Sequence, residues 1–223
     1  MIIRPFETPE SLAGVSWPRL QHAKLREIGT SGSRPAREAL VRLWITEGCP
    51  YAFESRPAIW EQIRTWLAYH LQVCPKDITI VGSARTGFSL APKTWGRPFG
   101  EISDLDIAVV SPVLFGKVVE AYNLWSSEYE SGTVSPRNPI EKKHWDGNLA
   151  FGVRNIPLGF FDSKKLPTLD RYPIAQRIAN AMWLMKSKLE QTPGIPRTQG
   201  VSARIYRDWA SLVARISFNL KLL

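Results

Sequence analysis

Two apolar runs, ITIV at 78–81 and DLDIAVV at 104–110, constrain the fold of this chain more than any other feature. Both are short, rich in Ile and Val, and bounded by turn-forming residues, the pattern of buried strands. The first stops at Gly82-Ser83. The second begins with two aspartates. Strand side chains alternate, so Asp104, Asp106 and Ala108 share one face, while Leu105, Ile107 and Val109 share the other as core candidates. Two carboxylates about 7 Å apart on one face repel each other and call for a cation between them. Mg²⁺, or Mn²⁺ in its place, suits such a pair, because it takes one or two carboxylates together with substrate phosphates. The alternative is structural, with Asp104 capping the turn at Ser103 and Asp106 paired with a core arginine.

The glycine that ends the first run lets the backbone turn sharply and approach a ligand. The amides after it and the Ser83 hydroxyl are groups that bind phosphate oxygens. A helix beginning at that turn would add its positive end. Arg85, Lys93 and Arg97 follow and would neutralise further phosphate charge. They lie in a polar connection at 84–103, longer than most loops inside a domain, which reads either as a flap carrying Trp95, Lys93 and Arg97 over a nucleotide or as an inert insertion.

Around these runs the periodicity is helical. Residues 36–47 place Leu40, Leu43 and Trp44 at helical spacing, with Gly48 as the stop and GTSGSRP at 29–35 as a loop before it. Pro57 suits the first turn of a helix carrying Ile59, Ile63, Trp66, Leu67 and Leu71. Ser111-Pro112 opens a helix to about 130 with Phe115, Val118, Val119, Tyr122 and Trp125 on one side. Residues 131–147 read as a loop, and NLAFGV and IPLGFF as short strands. A further helix is predicted over 170–191, capped by Asp170, with Ile174, Ile178, Met182, Met185 and Leu189 on one face. After the Pro/Gly break at 193–200, residues 202–223 read as one basic amphipathic helix. It ends on apolar residues that would pack into the core, dock a protein partner or mediate self-association. The expected class is α/β (α+β), a short mixed sheet flanked by helices. The division is a helical lead-in at 1–54, a core at 55–192 and a C-terminal segment at 193–223.

The formal net charge is +9, which favours polyanionic partners such as nucleotides or nucleic acid. The two cysteines form no CxxC pair and the three histidines are far apart, so a zinc site is not expected. Cys49 and Cys74 read as buried, unpaired thiols in a reducing cytosol. The stretch MIIRPFETPESLAG lacks a secretory pattern, and no run is long enough to span a bilayer, so a cytoplasmic protein without a membrane partner is expected.

The VGS at 81–83 followed by SDLDIAVV at 103–110 resembles the nucleotidyltransferase superfamily typified by DNA polymerase beta. Its members include tRNA-nucleotide adding enzymes, antibiotic nucleotidyltransferases, cyclic-dinucleotide synthases and the small nucleotidyltransferases of toxin–antitoxin pairs. The resemblance implies that Gly82 and Ser83 hold a nucleoside triphosphate and that Asp104 and Asp106 bind metal. It also implies a third acid on a later strand that helps activate the attacking hydroxyl. Asp162, closing IPLGFFD, is the first candidate and Asp146 the second. The implied activity is Mg²⁺-dependent transfer of a nucleoside monophosphate to an acceptor, either an RNA or tRNA end or a protein hydroxyl, in a bacterial toxin–antitoxin or antiviral defence setting. Without the third acid, the chain would be an inactive module that binds nucleotide, nucleic acid or a partner protein.

Overall fold

The structure is a computed structural model in which residues 21–223 are described. The stretch MIIRPFETPESLAG and the rest of residues 1–20 of the predicted lead-in lie outside the described residues. The two apolar runs are strands β1 (Ile78–Val81) and β2 (Asp104–Val110), paired antiparallel with Val81 opposite Asp106. Strands β3 (Phe160–Asp162) and β4 (Gly200–Tyr206) complete one sheet in the order β1-β2-β4-β3. β4 runs parallel to β2, with Gly200 opposite Asp104 and Ser202 opposite Asp106. It runs antiparallel to β3, with Arg204 opposite Asp162. The chain is therefore the mixed α/β fold expected, a short mixed sheet flanked by helices.

One face of the sheet is closed by four helices: α3 (Pro57–Leu71), α5 (Pro112–Glu130), α6 (Pro139–Asn155) and α7 (Pro173–Glu190), where α4 (Ser83–Thr86) is a single turn after β1. Ile80, Leu105, Ile107, Val109, Ala203, Ile205 and Phe161 pack there against Leu67, Leu71, Val118, Trp125 and Ile178. The N-termini of these helices are set by local chemistry. Ser111 accepts from the Leu114 amide at 3.2 Å, and Asn138 accepts from Glu141 N at 2.9 Å, each with proline at the first helical position.

The other face is covered by α1 (His22–Ser31), α2 (Arg34–Leu40), the π-helical turn Val41–Ile45 that prolongs it, and α8 (Trp209–Lys221). Ala108, Val110, Phe160 and Tyr206 meet Leu25, Leu40, Ile45, Leu212 and Ile216 in this second core. No helix among the described residues is long and apolar enough to cross a membrane.

Several local expectations are corrected. Residues 202–223 are not one helix: β4 ends at Tyr206, and Asp208 starts α8 by accepting from Ser211 N at 2.7 Å. The segment after 193 therefore supplies an interior strand of the sheet. Its apolar stripe of Leu212, Val213, Ile216 and Leu220 is buried within the chain, leaving Phe218 and Leu222 exposed. Residues 139–155, read as loop and strand, form α6. Its Gly152 lies where a Cβ would clash with the Tyr122 ring. The IPLGFF strand shrinks to β3, which begins at Phe160.

Gly29, read as the start of a loop, is a helical residue of α1, and a side chain there would meet the Leu220 carbonyl at 2.9 Å. The predicted 36–47 helix ends at Ile45, ahead of Gly48. Asp170 does not cap α7, which starts at Pro173; it accepts from Gln176 Nε2 at 2.6 Å. Cys49 is half-buried, with burial holding its thiol pKa up, and Cys74 is exposed rather than buried; both are free.

Candidate functional site

β1 ends on the side of the sheet that faces α1, α2 and α8, and there the packing leaves a cavity of about 660 Å³. Gly82, Ser83, Asp104, Asp106, Asp162 and Arg97 line it, together with Ser202 and Arg204 from β4. Residues separated by up to 122 positions are thus brought to one wall by the strand order. Antiparallel pairing of β1 with β2 sets the Gly82 turn beside Asp106, and the parallel β4 sets Gly200 beside Asp104.

Two glycines clear the space around the carboxylates. Gly82 has φ of +68°, open to glycine at little cost, and a Cβ there would lie 3.1 Å from Asp106 Oδ2. A Cβ on Gly200 would lie 2.8 Å from Asp104 Oδ1. The Ser83 hydroxyl has no internal partner among the described residues. α4 is a single turn, too short to supply the helix-end field anticipated from the sequence.

The electrostatics of the pair are asymmetric. Asp104 is exposed and Asp106 half-buried. Burial pushes the Asp106 carboxyl pKa up, and the Asp104 charge adds to the rise. The hydrogen bond from Ser202 Oγ, at 2.7 Å, and the charges of Arg204 and Lys164 oppose it. Among the described residues no arginine forms an ion pair with either carboxylate and Asp104 caps no turn, so the structural alternative does not describe them there.

The donor set suits a hard divalent cation. It consists of two carboxylates on one face of a strand, one of them desolvated and destabilised by its neighbour, beside a cavity with room for phosphate oxygens. Among the described residues, no three His, Cys, Asp or Glu side chains converge closely enough to hold a metal by themselves. Substrate oxygens would complete the coordination of a cation held by Asp104 and Asp106.

The remaining predicted residues divide. Arg97 lines the cavity, whereas the exposed Lys93 lies outside its lining, though Pro92 and Thr94 on either side belong to it. Arg85 does not join the site. It is 6% exposed and turned away, donating to the Trp44 carbonyl at 3.1 Å and the Gly48 carbonyl at 2.9 Å, and burial lowers its pKa to about 10. Trp95 is not poised over the cavity either; it packs edge-on to Phe88 under Arg26 of α1.

Asp162 lines the cavity but sits a strand away from the pair. Its carboxylate meets Arg204 Nη2 at 3.5 Å and accepts from the Lys164 amide at 3.2 Å. Asp146, the other candidate, lies on α6 outside this cavity. Tyr129 and Lys142 hold it there and lower its pKa.

The sequence reading missed Ser202, which lines the cavity, and Gly200 beside Asp104, and it placed Arg204 on a helix as a contact for a phosphate backbone rather than on β4 beside Asp106. The signal was present. In VSARIY the apolar residues alternate strictly, and RDW supplies a cap three residues before Ser211. Comparison with family models, with curated proteins and with solved structures returned no match to this chain.

Proposed function

We propose that this chain is a nucleotidyltransferase that moves a nucleoside monophosphate from a nucleoside triphosphate to an acceptor hydroxyl. The observation that carries the reading is the meeting of Gly82, Ser83, Asp104 and Asp106 on one wall of one cavity, with glycines where side chains would crowd both carboxylates. In this reading the Gly82 turn and Ser83 hold the triphosphate, and Arg97 offsets its charge at the rim. Asp104 and Asp106 would hold Mg²⁺, which when bound neutralises charge at the reacting phosphate and its leaving oxygen.

The acceptor oxygen bonds to the α-phosphorus, and the bond from that phosphorus to the oxygen bridging to the β-phosphate breaks. Pyrophosphate leaves with the bonding pair, and the hydroxyl proton passes to water at the cavity mouth. Ser202 orients the Asp106 carboxylate through its hydrogen bond. Arg204, paired with Asp162, keeps positive charge beside it.

Incubation with α-labelled nucleoside triphosphates, Mg²⁺ and candidate acceptors tests this. We expect label to move to an acceptor and the transfer to fall by about 10²-fold or more in Asp104→Asn and Asp106→Asn. A second reading is favoured by the position of Asp162, which is engaged by Arg204 rather than directed to the β2 pair. There the chain binds a triphosphate without transferring it, and calorimetric binding with no pyrophosphate release would select that reading.

A further inference from the structure

A second cavity of about 670 Å³ opens beside the carboxylate site. Its walls come from α6, α7 and the turn after β3, and it reaches the first residues of β4, Gly200 and Val201. Gly200 is the residue whose missing side chain makes room for Asp104, and the two linings meet at chain neighbours around the start of β4, Gln199 beside Gly200 and Val201 beside Ser202. Lys164 lines the second cavity, and its charge is felt by Asp106 in the first.

The lining is cationic: Arg137, Lys164 and Lys186 are joined by His144, with Glu141 as the single acidic residue. Among the described residues Lys164 and Arg137 make no side-chain ion pair, and Lys186 has only an exposed pair with Glu190 at 3.6 Å. Such a surface pair is weak and yields readily to a phosphate. Trp183, on the same wall, leaves 67% of its surface in solvent beside the buried Met182. A charged groove edged by an open indole is the arrangement that binds single strands, with cations following the backbone and an aromatic ring stacking a base.

We propose that this groove is the acceptor track of the same centre, and that it takes the end of a single-stranded polynucleotide, with the terminal hydroxyl directed past Gly200 toward Asp104. The inference rests on the nucleotidyltransferase reading and names its acceptor class. Phosphates lie along Lys186, Arg137 and Lys164, and one base stacks on Trp183. Duplexes are poor ligands, because their bases offer no free face to the indole. A protein acceptor would gain little from three cations around a ring.

The test is fluorescence anisotropy of the full chain with a labelled single-stranded RNA decamer, at two or more salt concentrations, beside the same sequence as a duplex. The expected result is binding whose logarithm falls linearly with the logarithm of salt, and a preference for the single strand. Trp183→Ala weakens binding about tenfold or more and leaves the salt slope in place. Arg137→Ala with Lys186→Ala reduces the slope by about 1.4, roughly 0.7 for each lost phosphate contact on a single strand. These side chains are solvent-facing, and coincident thermal melts of variants and wild type confirm that the fold is kept. Variant affinities equal to wild type, or a duplex bound as well as the single strand, overturn the proposal. Calorimetry of wild type with ATP and Mg²⁺ separates the two claims. Triphosphate binding with an indifferent groove removes this inference alone, whereas no triphosphate binding removes the nucleotidyltransferase reading.

Discussion

The two faces of the sheet use the same strands and treat polar atoms in opposite ways. On the face under α3, α5 and α7, Leu105, Ile107, Val109 and Ile205 are at most 1% exposed and belong to one apolar core. On the other face, Ala108 and Val110 are buried too, but the same strands begin with Asp104, Asp106, Gly200 and Ser202, and a cavity separates the carboxylates from Ile216 and Asn219 of α8. The same strands thus carry a packed layer and an open one back to back. The closed face secures the backbone that fixes the carboxylates, and the open face leaves them ready for a ligand. Substitutions on the first should act on stability, and substitutions on the second on ligands.

The largest effect is expected on the closed side. Phe161 is fully buried, with ring centroids 5.4 Å from Tyr122 and 5.8 Å from Phe151. Phe161→Ala should cost about 3–5 kcal/mol in a denaturant titration. A cost below about 1 kcal/mol would show that this layer is not the packed support described.

Arg85 sharpens the contrast from within the site's own loop. Arg85→Leu should cost about 2–3 kcal/mol by leaving the Trp44 and Gly48 carbonyls unpaired, with triphosphate affinity unchanged. Weaker triphosphate binding by the folded variant would return Arg85 to the phosphate role read from the sequence.

A smaller effect is expected on the open side. Gly200→Ala crowds Asp104 Oδ1 at 2.8 Å and should slow transfer by roughly 10- to 100-fold, with the melting temperature little changed. The reverse outcome, lost stability with unchanged transfer, would place Gly200 in the core rather than the site.

The smallest effect concerns pH. The folded carboxyl of Asp106 holds its proton more tightly than in the unfolded chain, because burial and Asp104 raise its pKa. The native state therefore binds more protons than the unfolded one over this window. Stability present at acid pH is lost as pH rises from the ordinary aspartate value through the raised folded one. Thermal melts of Asp106→Asn should show that loss removed, so the variant gains on wild type across the window and runs parallel above it. Parallel curves throughout would mean that Asp106 is not desolvated.

Much of this was legible before any coordinates. The strand-and-turn signals around Gly82 and Asp106 are local, and β-branched runs ending in Gly-Ser can be read without tertiary information. The amphipathic pattern of α3 and α7 is equally local. What escaped depends on partners distant in sequence. Residues 200–206 carry only a seven-residue alternation before a long helical pattern, and the stronger period absorbed the weaker, hiding Ser202 and the strand that carries Arg204. α6 was obscured by Gly147 and Gly152, although Asn138-Pro139 and Glu141 marked its start. Gly152 is explained only by the Tyr122 ring that lies against it. Arg85 looked like a phosphate ligand because charge beside a Gly-Ser turn is visible in sequence, whereas the carbonyls of Trp44 and Gly48 that claim it are not.

Calorimetric titration with ATP, with and without Mg²⁺, on wild type and on the Asp104→Asn, Asp106→Asn double variant bears most directly on the central claim. The account predicts binding in the wild type that strengthens with Mg²⁺, and a loss of that Mg²⁺-dependent gain in a double variant that still melts cooperatively. Equal binding by the two proteins, or binding indifferent to Mg²⁺, would contradict it.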